Sequence, residues 1–145
     1  MLLQLLVGTA VSVCNITIHS LLMTGVVRVS RSTGSMETAH PAVLLTCVMI
    51  ATALVLMAAH TCEVMVWALA YAAVDAAPAG SGIVYFAFVN YTTLGYGDIT
   101  PTEDWQLLGP MTAMNGVLLF GWSTAVIFHV LSRTMVNTGR AMTSD

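Results

Sequence analysis

The sequence predicts an all-α membrane protein with three full spans and one short segment that enters the membrane without crossing it. Three observations carry that prediction. Of the 145 residues, 57% are hydrophobic and only 8% charged, against roughly a quarter charged in soluble domains, so the chain lacks the polar groups to cover a water-facing surface. Its apolar residues gather in three runs, each longer than the roughly 20 residues that cross a bilayer as a helix. Between the second and third runs lies an apolar, aromatic segment, Ile83–Tyr91, that is too short to span. The charge balance also excludes other classes. With four arginines, no lysine and a net charge of -3, there is no basic patch for nucleic acid, and the hydrophobicity is far too high for a disordered polyelectrolyte.

Residues 1–27 form the first predicted helix, free of acidic, Lys and Arg side chains from Leu2 onward. A cleaved leader would need a basic stretch ahead of the apolar run, and none is there. Ser12, Asn15, Thr17, His19 and Ser20 interrupt this helix without forming one clear stripe, and are read as packing contacts between helices. Residues 28–40 form a polar connector, and Pro41 suits a helix start because its missing N–H is not needed there. A second helix then runs to about Val74, a length of about 50 Å, followed by an Ala/Gly/Pro turn over residues 75–82. Lipid tolerates no unpaired backbone, so Ile83–Tyr91 must turn back inside a protein or water-lined wall as a re-entrant helix. A polar loop over 98–104 leads into the third span at 105–131, and residues 134–145 form a tail. All four arginines, Arg28, Arg31, Arg133 and Arg140, fall on one side of this topology, which the positive-inside rule makes cytoplasmic. The N-terminus and the re-entrant segment are then outside, with Asp75, Asp98, Glu103 and Asp104 forming an acidic mouth suited to cations. Cys14, Cys47 and Cys62 lie inside apolar runs, show no metal-ligand spacing, and are read as buried small hydrophobes.

The stretch with chemical content is Thr92, Thr93, Leu94, Gly95, Tyr96, Gly97, Asp98. Selecting one dehydrated monovalent cation requires rings of oxygen ligands, and five extended residues supply several such rings over roughly 12 to 15 Å. For consecutive carbonyls to aim at one axis, alternate residues must leave the usual backbone region of L-residues, which Gly95 and Gly97 do at no steric cost. Leu94 and Tyr96 then point away from the axis and wedge against the surrounding wall. The Thr93 hydroxyl adds a ligand layer at the inner end. The C-terminal end of the re-entrant helix, near Tyr91, turns its negative dipole end toward the cavity below and favours a cation there.

At these residues the sequence resembles the potassium channel pore domain, whose signature is T-x-G-Y-G after a re-entrant pore helix, flanked by an outer and an inner helix. The resemblance covers residues 41–133 and is greatest to small bacterial channels that carry a bare pore domain. It implies a homotetramer in a bacterial plasma membrane, binding K+ at Thr93, Leu94, Gly95 and Tyr96, with Gly97 closing the filter. Its other implied partners are membrane lipids. Thr92 and Asp98 would support the filter from either end, and Glu63, in the outer half of its helix, from behind. Leu94 stands where Val or Ile is commoner. Val89 stands where some bacterial members carry a glutamate that pairs with the aspartate after the filter, so Asp98 needs another partner or solvent. In the last span, Gly116 or Gly121 is either the hinge of a gate or a close-packing contact. Asn115, Leu119, Trp122, Val126 and His129 recur at helical spacing, which makes Asn115 a cavity-lining candidate and His129 a candidate near the cytoplasmic mouth, titratable in the physiological range.

Rival readings are a non-selective cation channel on the same scaffold and the ion-translocating subunit of a potassium uptake system, although the latter typically carries four degenerate filters in one chain. A third is an intramembrane metalloenzyme using His60 and Glu63, one helical turn apart, although no second such pair accompanies them. No nucleotide-binding loop, catalytic triad order or paired catalytic carboxylates are present, so no enzyme and no cofactor beyond filter K+ is expected. The first helix carries no regularly spaced arginines and is therefore no conventional voltage sensor.

Overall fold

A computed structural model describes residues 1–33 and 40–142, which form four α-helices and one 3-10 turn, with no strand among the described residues. Three helices, α1 (Leu2–Thr33), α2 (Pro41–Ala73) and α4 (Leu108–Met142), are long and apolar enough to cross a membrane. The short α3 (Ile83–Tyr91) is wedged between α2 and α4. The expected all-α membrane architecture is the one observed.

Local sequence explains the boundaries. Pro41 opens α2 at its first position. That helix ends where Asp75 enters the left-handed region at φ 52°, and the Ala76 N–H returns to the Tyr71 carbonyl at 3.0 Å. Asp tolerates this conformation better than most residues. Thr102 N–H then bonds the Ala76 carbonyl at 2.9 Å, which ties the loop before α4 to the turn after α2. A 3-10 turn at Glu103–Trp105 precedes α4, and Pro110 sits in the first turn of α4, where no intrahelical N–H bond is lost.

Two boundaries differ from expectation. The first helix continues through residues 28–33, where the connector was expected to begin, because no Gly or Pro falls between Val27 and Gly34; the remainder of the connector, 34–39, lies outside the described residues. The last helix likewise runs on to Met142 through most of the expected tail, of which 143–145 lie outside the described residues. Polar residues at a helix end that protrudes from lipid cost little, so polarity alone was no stop signal.

The core has two parts. Toward the end that holds α3, Val64, Trp67, Ala68, Tyr71, Phe86, Ala87, Tyr91 and Leu108 form one cluster, with Tyr71 and Phe86 ring centroids 4.8 Å apart. Toward the other end, Met23, Leu56, Val126 and Val130 form a second. The first helix contributes to both through a seam of Gly8, Asn15, His19, Met23 and Ser30, all buried. These positions recur every four or seven residues, so Asn15 and His19 do lie on one stripe, contrary to the sequence reading. The three cysteines are exposed on the surface of this chain, also contrary to expectation. A membrane span has two apolar faces, and an apolar cysteine satisfies either. Gln4 fixes the register of α1 at the α3 end, where its Oε1 accepts the Leu107 N–H at 3.1 Å and its Nε2 donates to the Asp104 carbonyl at 2.5 Å.

Candidate functional site

The site is built from the C-terminal end of α3. Thr92 caps this helix, and its Oγ1 donates to the Phe88 carbonyl at 2.7 Å. Thr93 follows at φ 60°. Its N–H bonds the Asn90 carbonyl at 3.1 Å, while the Leu94 N–H reaches back to the Val89 carbonyl at 3.0 Å. This is a left-handed helix cap, a role that usually falls to glycine, here imposed on a β-branched residue. Gly95 (φ 56°) and Gly97 (φ 78°) continue the alternation, so every second residue from 93 to 97 is left-handed.

This segment, called the strand although it pairs in no sheet among the described residues, leaves the protein interior. Residues 92–98 are all exposed, and Leu94 and Tyr96 retain 52% and 69% of their surface. A single chain therefore supplies no wall for either side chain. Asp98 accepts a hydrogen bond from the Tyr85 hydroxyl at 2.9 Å. That partner comes from the same re-entrant helix, one turn before Val89, and it answers what Asp98 bonds without a glutamate at 89.

Behind the helix end the structure is closed and polar. Glu63 is fully buried. Its Oε1 lies 2.7 Å from His19 Nδ1 and its Oε2 lies 2.9 Å from His60 Nδ1. The Tyr91 hydroxyl also donates to Glu63 Oε2. Beyond the rings, His60 Nε2 lies 2.9 Å from the Ser123 hydroxyl and His19 Nε2 lies 3.5 Å from it. One carboxylate thus joins α1, α2 and α3, and the two imidazoles carry the network to α4. On the α4 side, Gly116 faces the Tyr91 carbonyl so closely that a Cβ there would overlap it.

The sequence from 59 to 133 matches the ion channel family. The chain belongs to that family. Comparison with curated proteins and with solved structures returned no match. The matched segment contains the C-terminal part of α2, all of α3, the strand and α4 up to Arg133, so the protein is an ion channel and not an enzyme.

The channel places the remaining candidates as follows. Asn115 is 1% exposed and turned inward: its Oδ1 accepts the Trp67 indole N–H at 3.0 Å and the Asn15 amide at 3.2 Å. It therefore does not line a cavity. The Asn115, Leu119 and Val126 face is the face packed within the chain, because Leu119 and Val126 are buried with it, whereas Trp122 and His129 are exposed. Gly116 makes the close approach described above. Gly121 has no neighbour within 4 Å of where a Cβ would stand, and stays open to its surroundings. Sequence reasoning missed Tyr91, Ser123 and the convergence of His19 with Glu63. The only available signal was a run of polar residues in an otherwise apolar first helix.

Proposed function

We propose that the channel is a homotetrameric potassium-selective pore in which four copies of Thr93, Leu94, Gly95, Tyr96 and Gly97 surround one axis. The observation that carries this reading is the left-handed backbone at Thr93, Gly95 and Gly97 within the sequence TLGYG. Alternation of this kind is what turns successive carbonyls to one side of an extended strand. K+ sits between the carbonyl rings of Thr93, Leu94, Gly95 and Tyr96, with the Thr93 hydroxyl as the innermost ligand. Thr92 and Asp98 hold the two ends of the strand through their bonds to Phe88 and Tyr85, and Glu63 braces Tyr91 from behind. Each chain offers one filter strand, and its Leu94 and Tyr96 side chains are exposed, so neighbouring copies supply both the axis and the wall. Lipid contacts the apolar outer faces. The home is a bacterial plasma membrane, with the N-terminus outside and the arginine-bearing ends of α1 and α4 in the cytoplasm.

The test is the reversal potential of the purified protein in planar bilayers, with potassium on one side and sodium on the other. The expected value lies near the potassium equilibrium potential. A robust current reversing near zero overturns potassium selectivity and leaves a non-selective cation channel. Native mass measurement in detergent gives the expected stoichiometry of four, and a monomer overturns the shared filter.

A further inference from the structure

We propose that His19, His60 and Glu63 form a binding site for one divalent transition metal per chain, buried behind the re-entrant helix. Among the described residues this is the one group of three or more His, Cys, Asp or Glu side chains arranged to hold a metal, each offering a ligand atom within 4.8 Å of the others. The donors come from two helices, α1 and α2, with Glu63 and His60 one turn apart. His19 and Glu63 are 0% exposed and the His60 side chain 14% exposed, so the site is enclosed yet reachable at one edge.

The charge and lone-pair arrangement favours a cation. Glu63 lies within a membrane-spanning helix, and the ion pairs it makes in the structure are with the two histidines. The Glu63 oxygens face the Nδ1 atoms of both imidazoles at 2.7 and 2.9 Å, so a cation set between carboxylate and rings is ligated through Nδ1. Each ring then carries its proton on Nε2 and turns it toward the Ser123 hydroxyl, whose oxygen has two lone pairs to accept them. Two imidazoles and one carboxylate suit Zn2+ and its borderline neighbours, whereas Mg2+ and Ca2+ require oxygen donors in larger number. The hydroxyls of Tyr91 and Ser123 lie within hydrogen-bonding distance of the ligand side chains and orient them, as outer partners do in metal sites. Since Tyr91 precedes Thr93 by two residues, an occupied site ties α1 and α2 to the base of the strand.

Metal content of the purified protein decides the matter, with no current recorded, so the outcome is independent of potassium selectivity. Exposed thiols are removed first by Cys14→Ser, Cys47→Ser and Cys62→Ser. Equilibrium dialysis against Zn2+ should then leave one Zn2+ per chain, with Mg2+ not retained. Co2+ in place of Zn2+ should give visible absorption bands of a low-coordinate nitrogen and oxygen site. His19→Gln and Glu63→Gln should each lose the metal, and Tyr91→Phe should weaken it roughly 10- to 100-fold. Absence of Zn2+ from the thiol-free protein overturns the proposal, as does undiminished binding in both ligand variants. If either variant fails to fold, the Co2+ spectrum of the thiol-free protein decides, and octahedral aqua-ion bands alone overturn it.

Discussion

The two sides of the α3 terminus are built on opposite principles. Behind it, Glu63, Tyr91, His19, His60 and Ser123 bond to one another inside a single chain, and Glu63 and Tyr91 are fully buried. In front of it, residues 92–98 are all exposed, and the strand's bonds within the chain are confined to its two ends. The difference separates what one chain encloses from what it leaves exposed. One chain can position the start of the strand, because the Tyr91 hydroxyl bonds Glu63 and the Tyr91 carbonyl lies close against Gly116. The same chain leaves Leu94 and Tyr96 exposed, and in the proposed tetramer another copy packs them.

The largest effect expected from breaking this contrast is on the exposed side. Gly95→Ala places a Cβ on a left-handed residue, where only strained backbone accommodates it, but meets no neighbour closer than the Thr93 carbonyl at 3.8 Å. The chain should therefore fold and assemble while selective current is lost, as read by bilayer recording beside size-exclusion profiles. On the buried side the order reverses. Gly116→Ala drives a methyl into the Tyr91 carbonyl, and the atom struck is backbone, so it cannot swing aside. Overpacking costs typically about 1–3 kcal/mol, and the upper end is expected, seen as a lowered unfolding midpoint in detergent. Gly121→Ala, with nothing within 4 Å, should change stability by less than about 0.5 kcal/mol.

The same contrast separates what the sequence made legible from what it hid. The boundaries of α3 could be read because length decides them: nine apolar residues cannot span, and Gly82 and Thr92 flank them. The glycine spacing of the strand could be read because a backbone requirement leaves a mark on residue type. The polar network could be read only in part: His60 and Glu63 stand one turn apart and Glu63 was expected behind the filter, but nothing joined His19 to them. His19 and Glu63 are 44 residues apart, and the spans that carry them are apolar on their lipid faces and their packed faces alike, so hydropathy gives no contrast to show which way a side chain points. Asn115 illustrates the consequence. Its helical face was recognised as a face, yet the choice between cavity and interior needed Trp67 and Asn15, which only the tertiary fold brings to it.

A smaller effect sharpens the buried side. Tyr91→Phe removes a hydroxyl that donates to a buried carboxylate while leaving the ring and its packing on Phe120, 5.4 Å between centroids. Hydrogen bonds to charged groups are worth roughly 1.5–3 kcal/mol, so the unfolding midpoint should fall, by less than in Gly116→Ala. In a Glu63→Gln background the same change should cost less, since the charge it served is gone. Additive losses would mean that the Tyr91 hydroxyl and Glu63 act independently.

A subtler effect lies at the Asp98 end of the strand, where the exposed Tyr85 and Asp98 meet. The hydrogen bond to Asp98, more than burial, raises the Tyr85 hydroxyl above its ordinary value of 10.0, and Tyr85 stands on α3, outside the three spans. A group held in its protonated form contributes its stabilisation fully below the unfolded value and loses it as pH rises through the raised one. The brace on Asp98 is therefore intact at neutral pH and fails only in alkali. Asp98→Asn removes the carboxylate that holds the phenol protonated, so the alkaline rise of tyrosinate absorbance should move to lower pH by the share that belongs to Tyr85. An unchanged titration in Asp98→Asn would mean that Tyr85 does not hold Asp98.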